Sequence, residues 1–373
     1  MTRSKLPLPA CPNLLVIATN DKLALNVLRC AHVAGMTTHL LGGAHLTASR
    51  YSRHCASWTP ASLDFFQPPY DRAVAAINRC CAEKIVHVVV GVDLPAILLL
   101  ATIREQLTGA HVFPLAPPEL IRRWHNKWTF AQFLKEQGLP HPRTFLVESP
   151  DQLEQLPLEY PLVVKPLDRE GGWGVRQLNS QAEARAHLQQ NSPAARLPLL
   201  FQEFVPGEDI GLSVLAHRGE LVQWTVQRAL PHGGLEFLES AGIRELGEKM
   251  VRAAGYHGVA NFDLQRNARD GTVKVLECNP RFWASLPASM WNGVNFVAAG
   301  VNLLTATELR RQPQPRQIIY TTPFQVLTQL LRGDLTAPGR LSRESLREAW
   351  MLASDPVTLA CIIKRKLFPK SSV

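Results

Sequence analysis

Residues 276–283 read Leu-Glu-Cys-Asn-Pro-Arg-Phe-Trp and carry the strongest structural signal of the sequence. Glu277 and Asn279 are two positions apart, so in a strand both side chains point to the same face of a sheet. Polar and apolar residues also alternate through 259–265, and the link that follows contains Asp-Gly, which favours a tight turn. Antiparallel pairing of the two strands therefore brings Asp263 beside Glu277 and Asn279.

This trio of oxygen-bearing side chains predicts a site for a hard divalent cation, Mg²⁺ or Mn²⁺. Asp263, Glu277 and Asn279 supply two carboxylates and one amide oxygen, and such a cation completes its shell with water and phosphate oxygens. The alternation alone is equally typical of an ordinary solvated sheet face. The metal interpretation therefore depends on what the rest of the chain offers.

A second signal lies upstream, where a lysine precedes a glycine-rich turn. Lys165 ends the apolar run 162–165, and residues 170–174 read Glu-Gly-Gly-Trp-Gly. A lysine at the end of a buried strand offers a compact charge to phosphate oxygens, and glycines let backbone N–H groups approach a phosphate closely. Without the downstream signals, the same pattern is typical of a plain turn.

A third signal is the run 199–209, Leu-Leu-Phe-Gln-Glu-Phe-Val-Pro-Gly-Glu-Asp. A strand that stops before Pro-Gly leaves backbone groups near 203–205 available to a flat base, and Asp209 lies where it can accept hydrogen bonds from ribose hydroxyls. Taken alone, the run is more typical of a strand, a turn and a solvated acidic pair.

In order and spacing, the three signals together resemble the ATP-grasp superfamily, in its carbamoyl-phosphate-synthase-like, carboxylate–amine ligase branch. The resemblance covers roughly residues 115–305, and its most specific element is the E-x-N-P-R motif at 277–281. It implies an α/β protein with an α+β lid, namely an ATP-grasp fold preceded by a parallel-sheet pre-ATP-grasp domain. It also implies that ATP and Mg²⁺ are bound.

The resemblance further implies a role for each matching residue. The metal ligands are Asp263, Glu277 and Asn279, and the catalytic residues are Arg281, Lys165 and Asn279. The residues that bind ATP are Lys127, Lys165, Glu170, Gly171, Gly172, Trp173, Gly174, Gln202, Glu203, Phe204, Val205 and Asp209. Within this set, Glu203 and Val205 are expected to contact adenine through their backbones. Residues 228–234 and 239–240 resemble a second active-site loop of this branch.

Some residues depart from the family pattern without changing its chemistry. The phosphate loop has fewer glycines than the richest members, and Asp stands at 209 and 263 where Glu, or at 263 Gln, is common. The effect of Trp173 in the loop, restricting its motion or contacting substrate, is left open by the sequence.

The implied reaction phosphorylates a carboxylate to an acyl phosphate and couples it to an amine, with release of ADP and phosphate. The implied substrates are therefore a small-molecule carboxylate and an amine. Two alternatives remain: a kinase of the same fold, and a nucleotide-binding regulatory or membrane-associated protein without turnover. The presence of Asp263, Glu277, Asn279 and Arg281 argues against the second alternative.

The N-terminal part predicts a parallel α/β domain. Strands at 13–18, 38–41 and 85–92 alternate with helices, one at 23–34 and one that begins near Asp93. No G-x-G-x-x-G follows the first strand, which argues against a dinucleotide site. We expect four regions: this domain at 1–115, the lid and connecting helices at 116–195, the C-terminal ATP-grasp sheet domain at 196–305, and a basic, partly helical tail at 306–373.

Composition predicts a soluble, cytoplasmic protein. The 373 residues include 46% hydrophobic and 19% charged residues, which is typical of a globular chain. Neither a secretion signal nor an apolar run long enough for a membrane span is evident. The seven cysteines form no C-x-x-C pair, so neither a zinc knuckle nor a disulfide framework is indicated. A homodimer is expected on general grounds.

The net charge of +9 is concentrated near the end of the chain. Residues 310–373 contain eleven Lys or Arg against four Asp or Glu, a net +7. A helix is predicted at 357–368, with an apolar stripe beside Lys364, Arg365 and Lys366. The favoured interpretation is that this helix packs on the body, and the alternative is contact with an anionic membrane surface. Binding to nucleic acid is not expected, because the basic residues are not interleaved with aromatic ones.

Overall fold

The computed structural model describes residues 5–190, 192–231, 234–305, 319–322 and 343–367. The strands, in chain order, are β1 (Asn13–Ala18), β2 (Thr37–Gly42), β3 (Ser57–Pro60), β4 (Val88–Gly91), β5 (His111–Val112), β6 (Thr144–Val147), β7 (Leu162–Pro166), β8 (Arg176–Leu178), β9 (Leu199–Glu203), β10 (Gly207–His217), β11 (Glu220–Ala229), β12 (Leu235–Leu238), β13 (Gly258–Asn267), β14 (Val273–Asn279) and β15 (Ile319–Tyr320). The α-helices are α1 (Asp21–Val33), α2 (Thr47–Arg50), α3 (Asp71–Glu83), α4 (Leu94–Ile103), α5 (Pro118–His125), α6 (Lys127–Glu136), α7 (Gln181–Leu188), α8 (Ala241–Ala253), α9 (Leu286–Trp291), α10 (Phe296–Asn302), α11 (Arg343–Ala353) and α12 (Pro356–Leu367).

The N-terminal sheet is parallel, with the strand order β3-β2-β1-β4-β5. The central strands β1 and β4 are buried on both faces, as the continuous apolar runs predict. Asp93 caps α4 by accepting from the backbone N–H of Ala96, and its other carboxylate oxygen accepts from the N–H groups of Thr19 and Asn20. The predicted parallel sheet is confirmed. The edge strand β3, with its short and partly exposed sequence, was not predicted.

A smaller antiparallel sheet has the order β6-β9-β7-β8 and carries Lys165 near the end of β7. One face of this sheet packs on α7 through a compact apolar cluster that includes Leu162, Val164 and Phe201. Strand β9 belongs to this sheet, although it falls after residue 195, where the predicted lid ends. The exact domain limits therefore stay a prediction.

The largest sheet is antiparallel, with the order β14-β13-β10-β11-β12-β15. One face is apolar, and there Phe262 packs in the same cluster as Trp124 and Phe130 of helices α5 and α6. The opposite face carries the polar residues of β10 and β13, because alternate side chains of a strand point to opposite faces. The alternation read at 259–265 thus separates a hydrophobic core from a polar surface.

The C-terminal helices α11 and α12 pack on the N-terminal domain. Thr358 Oγ1 donates to the carbonyl oxygen of Ala48 at 2.9 Å, and Asp355 accepts from the Ser52 hydroxyl at 2.5 Å. This arrangement agrees with the packing interpretation of the basic tail and gives membrane contact no support. Phe368, the predicted end of the last helix, lies outside the described residues, as do 306–318 and 323–342 of the predicted tail. No helix among the described residues combines the length and apolarity needed to cross a bilayer.

Candidate active site

Strand pairing brings the predicted metal ligands together. Asp263 lies opposite Glu277 in the β13–β14 ladder, and Asn261 lies opposite Asn279. Asn279 Nδ2 donates to Asp263 Oδ2 at 3.3 Å, and Asn261 Nδ2 donates to Asp263 Oδ1 at 2.9 Å. The register shifts directly afterwards, between Asp263 and Leu264, which marks a β-bulge of the kind often found beside active sites.

The two carboxylates ionise at different pH values. Burial raises the pKa of Asp263 to about 7, and the charge of Glu277 adds to the rise. Burial alone would raise the pKa of Glu277 as well, but the positive charges of Lys127 and Lys165 lower it below its ordinary value. Near neutral pH, Glu277 is therefore ionised while Asp263 keeps its proton in a large fraction of molecules.

Two buried lysines lie beside this carboxylate pair. Lys127 Nζ is 3.6 Å from Glu277 Oε2, and both Lys127 and Lys165 are almost fully buried. Burial lowers the pKa of Lys165, with Lys127 adding to the fall, whereas Glu277, Asp263 and Asp209 oppose it. The predicted phosphate-binding lysines and the predicted metal ligands thus share one electrostatic environment.

The glycine-rich loop 170–174 has an open tip. Gly171 and Gly172 have φ angles of 65° and 75°, and a Cβ at either position would meet no atom within 4 Å. Positive φ angles favour glycine, and the open space leaves their backbones accessible. The Arg169 guanidinium lies 4.9 Å from the ring centroid of Trp173, whose side chain therefore contacts its own loop.

Arg281 fastens the base of this loop to the E-x-N-P-R motif. Its Nε donates to Glu170 Oε1 at 2.9 Å, and its Nη2 donates to Asn279 Oδ1 at 3.1 Å. Lys127 Nζ adds a second link by donating to the carbonyl oxygen of Arg169 at 2.5 Å. A single guanidinium therefore joins the loop to a predicted metal ligand.

The segment predicted to hold the base follows β9. The backbone N–H of Glu203 donates to the carbonyl oxygen of Arg143 at 2.9 Å, so any contact of its backbone with a base falls to its carbonyl group. The Glu203 carboxylate accepts from Lys274 Nζ at 3.1 Å. Within the described chain, the N–H of Val205 donates to no protein acceptor, which leaves it available to a ring nitrogen.

The remaining residues of this segment differ in how far their side chains are buried. Gln202 is buried and donates to the hydroxyl of Thr144 at 3.1 Å, whereas Phe204 is only partly buried. Asp209 is exposed and lies opposite Gln265, on the same face as Asp263. Its neighbour in sequence, Glu208, necessarily points to the other face.

Two residues that the sequence reading did not assign to the site also belong to it. Asn261 is buried and holds Asp263, and its own side-chain oxygen accepts from Ser213 Oγ at 2.9 Å. His125 Nε2 lies 3.2 Å from the carbonyl oxygen of Asp168, and its Nδ1 lies 4.0 Å from Glu170 Oε1. The alternation that revealed Asp263 also contains Asn261, so that residue could have been found from the sequence.

The predicted second loop is described only in part, because residues 232 and 233 lie outside the described chain. Arg228 forms ion pairs with Glu208 and Glu236, each at 2.7 Å. Ser240 caps α8 by accepting from the backbone N–H of Ile243. These contacts hold the ends of the loop, and its catalytic role stays a prediction.

Comparison with known proteins agrees with this geometry. Residues 196–326 match the model of a family described as "ATP-grasp in the biosynthetic pathway with Ter operon". The chain is also similar to the D-aspartate ligase of Enterococcus faecium, with 27% identity over 230 residues that cover 53% of each chain. Over residues 196–326 the chain thus resembles an ATP-grasp family.

Two further similarities each cover more than half of the chain. The carbamoyl-phosphate synthase of Methanobrevibacter smithii is 22% identical over 209 residues, which cover 52% of this chain and 55% of that one. The solved structure of an N5-carboxyaminoimidazole ribonucleotide synthetase in complex with ADP superimposes with a TM-score of 0.64 at 14% identity, covering 88% of this chain and 87% of that one. The resemblance read from the sequence and the predicted ATP-grasp fold are thus confirmed. The chain spans about half the length of the D-aspartate ligase, and about a tenth of the multifunctional proteins ura1 of Schizosaccharomyces pombe and URA2 of Saccharomyces cerevisiae, which it also matches.

Proposed function

We propose that this ATP-grasp protein is an ATP-dependent ligase that phosphorylates a carboxylate and couples the acyl phosphate to an amine, releasing ADP and phosphate. The proposal is supported by its similarity to a D-aspartate ligase and by the geometry of the site. The proposal includes the predicted roles of the individual site residues and the four predicted regions.

One observation carries the proposal above all others: two buried lysines and two partly buried carboxylates meet where the glycine-rich loop is fastened. Lys127 Nζ lies 3.6 Å from Glu277 Oε2 and donates to Arg169 O. A packed core rarely buries so many charges together, since each costs several kcal/mol of desolvation, of order 2–5 kcal/mol after relaxation. Clustered buried charge of this kind is typical of a site that binds a charged ligand.

The residues present fit a divalent cation. Asp263, Glu277 and Asn279 are hard oxygen donors on one face of the sheet, and the two carboxylates lie opposite each other in the strand pair. No cluster of three or more His, Cys, Asp or Glu is found among the described residues, and the proposed donor set is two carboxylates and the amide of Asn279. These three residues would hold Mg²⁺, which would neutralise part of the charge of the phosphates.

The remaining chemistry belongs to the residues of the chain. Lys127 and Lys165 face the phosphates and stabilise the negative charge that spreads over the transferred phosphoryl group. Arg281 orients the substrate carboxylate or steadies that group, and its bond to Glu170 couples this role to the position of the loop. The loop 170–174 closes over the site and excludes water, which would otherwise hydrolyse the acyl phosphate.

The adenosine part of ATP is assigned to the segment after β9. The unpartnered N–H of Val205 supports hydrogen bonding to adenine, and Asp209 supports binding of the ribose hydroxyls because it faces the metal site. Glu203 contributes its carbonyl group, with its carboxylate held by Lys274. Because adenine would be bound through the backbone, the side chain of Glu203 can make a structural contact with Lys274.

Trapping of the intermediate tests the proposal. Hydroxylamine attacks acyl phosphates and yields a stable hydroxamate, so Mg-ATP, a carboxylate substrate and hydroxylamine together should yield hydroxamate and ADP in equal amounts. ADP formation with a stable phosphorylated product and no hydroxamate would favour a kinase. A protein that binds ATP and forms neither product with any carboxylate would favour the regulatory alternative.

A further inference from the structure

A second concentration of buried charge lies apart from the residues assigned to ATP and metal. A half-open cavity of about 510 Å³ is lined in part by helix α1, the turn before α9, and the C-terminal helices α11 and α12. Arg29 and Glu348 both line it. Pockets for small metabolites commonly measure roughly 300–1,000 Å³, so this cavity has the size of a substrate site.

Arg29 supplies the buried positive charge of the cavity, and the exposed Lys22 also lines it. It is 5% exposed, and its Nε and Nη2 atoms have no hydrogen-bond partner among the described residues. Burial lowers the pKa of Arg29, although the charges of Glu348 and Asp355 oppose this fall. Asp355 already accepts from the Ser52 hydroxyl and from the N–H of Arg53. A ligand carboxylate can satisfy the free edge of such a guanidinium with two parallel hydrogen bonds.

Glu348 supplies the negative charge. It is 7% exposed, and its Oε2 atom has no hydrogen-bond partner in the described part of the chain. Burial raises the pKa of Glu348 to about 7, against the opposing effect of Arg29. A buried acceptor without a partner costs about 1–3 kcal/mol, which an ammonium group of a ligand would recover.

The rest of the wall is mostly apolar and adjoins the candidate active site along the chain. Leu25, Pro287 and Leu352 are among its lining residues. Ala284, which also lines it, follows Arg281 by three positions, and its carbonyl oxygen accepts from Asn26 Nδ2 at 3.0 Å. Helix α1 is thereby fastened to the turn that leaves the E-x-N-P-R motif.

We propose that this cavity binds the head group of an amino-acid substrate, with its α-carboxylate on Arg29 and its α-ammonium group on Glu348. A zwitterion satisfies both buried charges, whereas a simple carboxylate leaves Glu348 unpaired and a simple amine leaves Arg29 unpaired. Because the head group is held in this way, the group that reacts at the ATP site belongs to the side chain of the substrate. This inference rests on the proposed ligase function and names one of its substrate classes.

Calorimetric titration of the full-length protein tests the inference without requiring turnover. The probes are a panel of free L- and D-amino acids, each beside its N-acetyl derivative and its carboxamide, with a non-hydrolysable ATP analogue present. At least one free amino acid should bind at millimolar concentration or below. Acetylation and amidation should each weaken its binding by about tenfold or more, since each removes a charge-assisted contact.

Two variants assign these losses to residues. Arg29→Gln should remove the preference for the acid over the carboxamide, and Glu348→Gln should remove the preference for the free amine over the acetylated form. Glu344→Gln, on the same helix one turn before Glu348 and outside the lining of the cavity, is the matched control and should keep both preferences. If either variant fails to fold, the comparison of free and capped ligands on the unaltered protein remains decisive.

The inference is overturned if no free amino acid binds, if capped and free forms bind equally, or if the two variants keep both preferences. ADP release measured on the same samples separates this outcome from failure of the proposed function. If ADP is released but acetylation and amidation of the substrates have no effect, the amino-acid site is contradicted and the ligase function is not. Capping-sensitive binding that never supports ADP release contradicts the ligase function and leaves the site intact.

Discussion

The polar face of the large sheet and the cavity beside α1 both bury charge, but they satisfy it differently. At the sheet, Glu277 lies near Lys127, Asp263 accepts from two asparagines, and Arg281 bonds to Glu170. In the cavity, Arg29 and Glu348 keep atoms without a partner among the described residues. The difference indicates that the sheet site is largely preorganised for ligands that bring charge, whereas the cavity depends on its ligand to complete its contacts.

The largest expected effect is loss of turnover when a bridging carboxylate is removed. Glu277→Ala should reduce Mg-ATP-dependent ADP formation by about a hundredfold or more, because the metal site loses a donor and Lys127 loses its counter-charge. Glu220→Ala, at an exposed position in the same sheet, is the control and should behave like the unaltered protein. Near-normal turnover of the Glu277 variant would remove the metal assignment.

The cavity also predicts an effect on how stability depends on pH. The pKa of Glu348 is about 7 in the folded chain and its ordinary value is 4.5. A carboxyl group whose pKa is higher in the folded than in the unfolded chain contributes stability that is fully present below its unfolded-state pKa. That contribution is lost as the pH rises through the folded-state pKa, here about 7. Without ligand, the unaltered protein should therefore lose about 2–3 kcal/mol of unfolding free energy between pH 5 and pH 8 through this group, and Glu348→Gln should not show that loss.

Urea denaturation of both proteins at pH 5 and pH 8 measures this loss directly. A difference in stability between the two proteins that stays constant across this range would show that the carboxyl group is not held in a desolvated cavity. Glu344→Gln provides the comparison for a less buried acid on the same helix.

A smaller effect is expected on nucleotide affinity. Lys165→Ala should weaken binding of a non-hydrolysable ATP analogue by about tenfold, since one buried charge-assisted contact to phosphate is lost. Lys249→Ala, at an exposed site on α8, should leave the affinity unchanged. Titration calorimetry distinguishes the two results, and an unchanged affinity of the Lys165 variant would count against its phosphate role.

The smallest effect concerns the link between the loop and the motif. Glu170→Gln weakens the bond to Arg281 Nε, and partly exposed ion pairs contribute at most about 1 kcal/mol. We expect turnover to fall by only a few-fold and a larger share of the ADP to form without coupled product, because the loop excludes water less well. Product and ADP measured together would show this uncoupling, and a ratio that stays at one would argue that Glu170 does not govern closure.

The sequence correctly brought Asp263, Glu277 and Asn279 together because the information for this arrangement is local. Glu277 and Asn279 share a face by strand periodicity, and a single tight turn brings Asp263 opposite them. The same alternation and an ATP-grasp resemblance gave the fold of residues 115–305. The position of His125 beside the loop depends on how α5 packs, and no sequence periodicity indicates it.

The cavity could not be predicted from the sequence, because it depends on residues that are far apart in the chain. Arg29 and Glu348 come from the two ends of the chain and meet only after α11 packs on the N-terminal domain. Arg29 stands within an amphipathic helix, where an arginine ordinarily faces solvent. The predicted tail has a net positive charge, yet the charged tail residue among the described lining of the cavity, Glu348, is an acid.

The most direct test of the central claim is ADP and phosphate release from Mg-ATP with pools of carboxylic acids and amines. The account predicts release that requires an acid and an amine together, with amino acids among the active substrates. Release with neither, or no release from any pool while the nucleotide still raises the thermal stability of the protein, would contradict a carboxylate–amine ligase.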